Sequence, residues 1–186
     1  MVTLWQADGD FTVLVEKHRK CLISQRFIDG KGKVIEWTLF HGNCKSGSVI
    51  ILPITADQQV VVIEEFKFGS GKKQIELPCG NTEENENIEE AAARELLEET
   101  GYMAKEIISL MPSKIPIWID TSSATGKYHP FLAIGCERAQ EQTLDETEEI
   151  DIKIIPLQEW LEMTEQGEID DAKTLVTTYL AERLLK

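Results

Sequence analysis

The sequence predicts an α+β protein: a mixed β-sheet sandwiched between helical layers (α/β/α), with a small antiparallel sheet ahead of it. Three observations carry this. Apolar stretches of strand length recur between Phe11 and Ile155 and are separated by Gly- and Asp-containing turns. An amphipathic helix interrupts them near residues 88–100, and two more helices close the chain. Strands that alternate with helices and end in helices fit a sheet covered on both faces.

The N-terminal part reads as antiparallel. Phe11, Val13 and Val15 lie on one side of a first strand, and Cys21, Ile23 and Arg26-Phe27 belong to a second. Asp29-Gly30-Lys31-Gly32-Lys33 is a hairpin turn, and Val34 to Phe40 returns with Trp37 inside it. A sheet this small is marginal alone. Residues 1–47 are therefore expected to pack against the rest of the chain, 48–186, or against a second subunit.

Further strands run over Val49–Ile54, Val60–Phe68, Gln74–Leu77, Ala104–Ser109, Tyr128–Cys136 and Ile150–Ile155. Residues 111–127, with two prolines, a Trp and a Ser/Thr cluster, read either as a loop that lines a site or as an irregular connector. Pro156 to Glu165 forms a helix with Leu157, Trp160 and Leu161 on one face. Asp170 or Asp171 caps the last helix, whose apolar side reads as Ala172, Leu175, Val176, Tyr179, Leu180 and Leu184.

The central helix is the most informative stretch. Asn87 caps it, Glu90 completes a capping box, and Gly101 stops it in the left-handed conformation that glycine adopts freely. Glu95, Glu98 and Glu99 share one face at i, i+3 and i+4. The like-charge pair Glu95–Glu99 costs roughly 0.2–0.5 kcal/mol, and Arg94 offsets part of that through Glu98. Three carboxylates beside the turn Pro78-Cys79-Gly80 suit a hard divalent cation. On the triplet alone, a solvated acidic face is the simpler reading in a chain this acidic.

Lys and Arg number 19 against 33 Asp and Glu, a net charge of −14, which argues against a nucleic-acid backbone or an anionic membrane as partner. The charge is uneven: residues 1–47 carry seven basic against five acidic side chains, and the remainder twelve against twenty-eight. The opening residues lack a basic patch before an apolar run, and no apolar run approaches membrane length. Four widely spaced cysteines show no metal-binding or disulfide pattern. They fit free thiols in a reducing, cytoplasmic setting.

The stretch Gly80, Glu86, Arg94-Glu95-Leu96, Glu98-Glu99, Gly101-Tyr102 resembles the Nudix hydrolase signature, with every fixed position filled. The likeness covers about residues 34–184. It is strongest to the ADP-ribose pyrophosphatases and related nucleoside-diphosphate-sugar hydrolases, through Glu76-Leu77-Pro78-Cys79-Gly80, Phe131-Leu132-Ala133, Leu144–Ile150 and Gly167–Thr174. The resemblance implies hydrolysis of a diphosphate bond with Mg²⁺, or Mn²⁺ in its place, yielding a nucleoside monophosphate and a sugar phosphate. It implies metal ligation by Glu95, Glu98, Glu99 and the Cys79 main-chain carbonyl. Glu86 and Arg94 would hold those ligands in place. The general base would come from the late acidic loop, as Glu146 or Glu148, with Glu98 the remaining candidate. The N-terminal sheet would serve a homodimer.

Substrate contacts read less directly from the residues. Glu76 can accept hydrogen bonds from base or ribose, and Lys67 can touch a phosphate. Trp37 and Phe40 can stack on adenine, although aromatics in a sheet more often belong to a core. Three departures from the family pattern bear on the sugar: Glu65 and Lys67 stand where a neutral residue and Arg are usual, and Thr121–Gly126 replaces a Ser-Pro-Gly loop. Lysine keeps the charge but loses the two-pronged fork of arginine. Other readings stay open: a Nudix pyrophosphatase for a dinucleoside polyphosphate, NADH or an oxidised nucleotide, or a nucleotide-sensing module without turnover.

Overall fold

The computed structural model describes residues 4–17, 20–42, 47–145 and 148–185. Contacts divide the chain into two compact units: Met1–Lys45 with Trp118–Lys127, and Ser46–Ile117 with Tyr128–Lys186.

The first unit is an antiparallel sheet of β1 (Trp5–Ala7), β2 (Thr12–Lys17), β3 (Lys20–Asp29) and β4 (Val34–Gly42). β3 is its spine, paired with each of the other three. The Asp29 carboxylate accepts the Lys31 and Lys33 N–H groups at 2.9 and 2.8 Å, which folds the β3–β4 turn. The segment 118–127 joins this unit through Phe40 N–H to Ser123 O (2.8 Å) and Thr125 N–H to Phe40 O (2.9 Å). Those residues, read as a connector or a site loop, are anchored on β4.

The second unit holds a mixed sheet. Its strands are β5 (Ser48–Thr55), β6 (Gln59–Lys67), β7 (Lys72–Glu76), β8 (Cys79–Asn81), β9 (Tyr102–Met103), β10 (Glu106–Ser109), the two-residue β11 (Ile117–Trp118, at the boundary between the units), β12 (Lys127–Arg138) and β13 (Ile150–Pro156). The main path runs β10-β12-β5-β6-β13, and β7 and β8 add to β6 and β5. The β12–β5 pair is parallel and its neighbours are antiparallel. β8 has no counterpart among the strands read from sequence: the residues of the glycine turn pair with β5.

Strand alternation sorts the core into two layers. Val49 and Ile51 of β5, with Phe131 and Ala133 of β12, meet helix α1 (Ile88–Thr100) through Ala91, Ala92 and Leu96. Ile50, Leu52 and Ile54, with Leu132, turn the other way, toward Trp160 of α2 (Leu157–Gln166) and Ala181 of α3 (Ala172–Leu185). The sheet is therefore flanked by helices on both faces, with β5 buried almost throughout and β6 buried over Val60–Ile63.

α3 keeps Leu175 against the core as expected but departs from the rest of its expected apolar face. Asp171 caps it by accepting the Thr174 N–H at 2.8 Å, but Val176, Tyr179 and Leu184 are exposed. The buried face is Thr174, Thr177, Thr178 and Ala181, spaced i, i+3, i+4, i+7. Two of the hydroxyls have partners that make burial tolerable: Thr174 Oγ1 accepts the Leu77 N–H, and Thr178 Oγ1 accepts the Trp160 indole N–H. Among the described residues no helix is long and apolar enough to cross a membrane, and Cys21, Cys79 and Cys136 are free thiols.

Candidate active site

Helix α1 positions the carboxylates. Its N-terminus closes with the expected capping box: Asn87 Oδ1 accepts from Glu89 and Glu90 N–H, and the Glu90 carboxylate accepts the Asn87 N–H. Gly101 ends it at φ 73°, where a Cβ would lie 2.2 Å from the Gln140 carbonyl oxygen. Glycine is thus required there for both conformation and space.

The three glutamates do not share one solvated face. Glu98 is half exposed, Glu95 is largely covered and Glu99 is buried. Glu95 packs under the glycine turn so closely that a Cβ on Gly80 would lie 2.0 Å from its carboxyl carbon. Glu99 Oε2 accepts the Cys79 N–H at 2.8 Å. The helix and the Cys79-Gly80 turn are therefore locked together by the side chains that the signature supplies.

Arg94 ties the rest. Its guanidinium holds Glu86 with two donors (2.8 and 2.9 Å), reaches the Asn81 carbonyl at 2.8 Å, and places Nη1 at 2.8 Å from both Glu95 Oε1 and Glu98 Oε2. The carboxylates hold the guanidinium firmly protonated, and Arg94 in turn, with the Glu83 N–H, keeps the Glu86 carboxyl below its usual range. Burial pushes Glu95 up, with the Glu98 and Glu148 charges adding to it against Arg94. Burial pushes Glu99 well up too, only partly relieved by the Cys79 N–H, while Glu95 and Glu148 oppose its ionisation.

The chemistry of this donor set suits a hard cation: carboxylate oxygens on two successive turns of a helix, two of them now shared by one guanidinium, beside the close-packed Gly80 turn. Arg94 Nη1 bridges two of the carboxylates, and among the described residues no three acidic, His or Cys side chains converge on one cation position.

Beside this centre, Lys67 bridges Glu65 (2.5 Å) and Glu76 (3.3 Å). Burial alone would pull its ammonium down, but these carboxylates and the Cys79 sulfur keep it above lysine's ordinary value. Glu76 is buried, which raises its carboxyl against the pull of Lys67. Lys173, in the first turn of α3, stands 3.5 Å from Cys79 Sγ.

The structure thus brings Lys67, Glu76, Cys79, Glu86, Arg94, Glu95, Glu98, Glu99 and Glu148 into the second unit. Trp37 and Phe40 belong to the first unit, where both are exposed and not core residues. Trp37 donates its indole N–H to Ser122 O at 3.1 Å. With Phe27, Ile35, Leu39 and Trp118 it lines a mostly apolar groove of about 520 Å³. Glu146 lies outside the described residues.

Sequence reasoning missed the backbone role of Asn81, the position of Lys173, and Gln142, whose amide donates to Glu99 O at 2.6 Å and Ile150 O at 3.2 Å. The available signal for Gln142 was an uncharged amide within a carboxylate-rich loop.

The profile of the NUDIX domain matches residues 44–176. The chain is 31% identical over 129 residues to the ADP-ribose pyrophosphatase of Bacillus subtilis (strain 168), covering 69% of this chain and 68% of that protein. It is 30% identical over 143 residues to the GDP-mannose pyrophosphatase of Escherichia coli (strain K12), covering 73% of each. The crystal structure of an ADP compounds hydrolase superposes with a TM-score of 0.79 over 100% of this chain and 95% of that one, at 19% identity, which speaks to the fold alone. The filled signature, the helix locked to its glycine turn and the profile match over most of the chain lead to one conclusion: this protein belongs to the Nudix hydrolase family.

Proposed function

We propose that the second unit hydrolyses the diphosphate bond of ADP-ribose or another nucleoside diphosphate sugar, releasing a nucleoside monophosphate and a sugar phosphate. The observation that carries this reading is the pair of covered carboxylates, Glu95 and Glu99, held against the Cys79-Gly80 turn, Glu95 by its packing under Gly80 and Glu99 by the Cys79 N–H, with burial opposing the ionisation of both. The names of the pyrophosphatase relatives support the substrate class.

Glu95, Glu98, Glu99 and the Cys79 carbonyl would hold Mg²⁺, or Mn²⁺ in its place. When bound, such an ion supplies the positive charge that a diphosphate needs to approach glutamates, and it lowers the pKa of a coordinated water. Arg94 would give up Glu95 and Glu98 to that ion while keeping Glu86 and Asn81. The attacking water would lose its proton to a carboxylate of the late loop. Glu148 is the described candidate, close enough for its charge to bear on both Glu95 and Glu99. Glu146 is the other, favoured by the resemblance. Lys67 would serve the substrate through its charge, and Glu76 through its acceptor oxygens. Trp37 and Phe40 are kept as base-stacking candidates on the strength of their exposure. The N-terminal sheet would support a homodimer, a reading in keeping with the exposed Val13, Leu14 and Val15 of β2.

The test is a hydrolysis panel of ADP-ribose, GDP-mannose, NADH, a diadenosine polyphosphate and oxidised dGTP, run with Mg²⁺ and with Mn²⁺. AMP and ribose 5-phosphate from ADP-ribose are the expected products. Preference for another sugar would mean that Glu65, Lys67 and the 121–126 segment redefine the pocket. Absence of turnover on every member, with nucleotide binding intact, would favour a sensing module.

A further inference from the structure

A helix leaves its last carbonyls without partners, and α1 disposes of three of them in order. Leu97 O accepts the Gly101 N–H at 2.8 Å, Glu98 O accepts the Thr143 N–H at 2.9 Å, and Glu99 O accepts the Gln142 side-chain amide at 2.6 Å. Two of those donors come from the loop after β12, which is also tied down by Ala139 and Gln140 N–H groups on Gly101 O, at 2.8 and 3.2 Å. The second amide proton of Gln142 goes to Ile150 O, the first residue of β13, at 3.2 Å. Gln142 therefore joins three things through one nitrogen: the end of the carboxylate helix, the start of the acidic loop and its finish.

The described part of that loop is also closed on itself. Asp145 N–H donates to the Glu148 carboxylate, and Glu148 N–H donates to Asp145 O, both at 3.0 Å. Asp145, Glu148 and Glu149 are like charges beside an already acidic helix, so repulsion favours an open loop. A clamp at its feet opposes that.

We propose that Gln142 is a positioning residue of the hydrolytic centre: by donating one amide proton to Glu99 O and the other to Ile150 O, it ties the residues just before Asp145 and just after Glu149 to the end of α1 and thereby holds Glu148 within reach of Glu95 and Glu99. The proposal rests on the diphosphate-hydrolase reading for its kinetic part only. The clamp requires two N–H donors on one nitrogen, at the reach of a glutamine. A glutamate presents oxygens to two carbonyls and a methionine presents no donor, so neither can replace it.

The test compares wild type with Gln142→Met and Gln142→Glu in two readouts. Amide hydrogen exchange at Thr143 and Glu148 reports the clamp without reference to turnover, and both variants should exchange faster than wild type there. On the best substrate of the panel, kcat should fall by roughly 10- to 100-fold, the cost of misplacing a reacting group by about an ångström, with KM unchanged. Unaltered exchange at both amides overturns the clamp. Faster exchange with wild-type kcat overturns the positioning role. A kcat loss that merely follows a lowered melting temperature, or a matching rise in KM, also overturns it. A wild type that turns over nothing sinks the hydrolase reading, while the exchange comparison still decides the clamp.

Discussion

Helices α1 and α3 lie against opposite faces of one sheet, and both turn polar side chains inward. α1 buries Glu99 and Thr100, and α3 buries Thr174, Thr177 and Thr178. The two use that polarity differently. Thr174 and Thr178 are ordinary packing partners whose hydroxyls accept nearby N–H groups. Glu99 is an acidic group held where its charge is costly, with the Cys79 N–H as a direct donor. A protein keeps such a group at a cost in stability when the site needs it. On the proposed function the comparison sets a helix that carries the site's carboxylates against one whose buried hydroxyls serve packing, and it makes opposite forecasts for their substitutions.

The largest effect is expected at Glu99→Gln. The amide can still accept the Cys79 N–H, so the turn should hold. Loss of the charge should lower kcat by roughly 100-fold or more, since cation-assisted stabilisation is worth several kcal/mol. Stability should move the other way. A carboxyl whose folded-state pKa is raised loses stability as pH rises through that pKa, because the folded state binds its proton more tightly than the unfolded one. Near neutral pH the glutamine variant should therefore melt above wild type, and the gain should shrink on acidification. Melting curves across pH, beside turnover, check this. A variant that melts lower at neutral pH would mean Glu99 stabilises the fold.

Arg94→Lys comes next. One ammonium cannot serve Glu86, Asn81 O, Glu95 and Glu98 together, so the loop from Asn81 to Glu86 should loosen from the helix. Changes of this kind around a metal site typically cost about 10- to 100-fold in metal affinity or activity. Titration of activity with Mg²⁺ checks it, and an unchanged curve would assign Arg94 to folding alone.

Most of α1 was legible in the sequence because its logic is local. The capping box, the glycine stop and the Arg-Glu spacing all lie within fifteen residues and need no tertiary knowledge. The strands of the second unit were legible for the same reason, as apolar runs between turns. What escaped depends on partners far along the chain. β8 is a strand only because β5 lies beside it. Residues 118–127 belong with the first unit because β4 accepts them there. Lys173 meets Cys79 across ninety-four positions, and Gln142 meets Glu99 across forty-three. The α3 face was misread beyond Leu175, which does pack on the core, because apolar periodicity weights leucines and tyrosines, whereas small hydroxyl side chains allow a close approach when their donors and acceptors are matched.

That reading of α3 yields the smaller forecasts, both on stability and neither on catalysis. Thr178→Val removes the acceptor of the buried Trp160 indole N–H while keeping shape. An unsatisfied buried donor costs about 1–3 kcal/mol, visible as a lower denaturation midpoint with an unchanged slope.

Thr177→Val is the counterpart and the finest discriminator. Thr177 is completely buried, yet among the described residues its hydroxyl has no hydrogen-bond partner. Valine has the same branched shape and lacks the group that burial penalises, so stability should stay level or rise by up to about 1 kcal/mol. Chemical denaturation of the two variants side by side checks the pair. Equal losses at 177 and 178 would mean that α3 values its hydroxyls as such. A loss at 178 beside a gain at 177 would mean that each buried hydroxyl stands or falls by its own partner, and that the polarity of α3, unlike that of α1, serves packing alone.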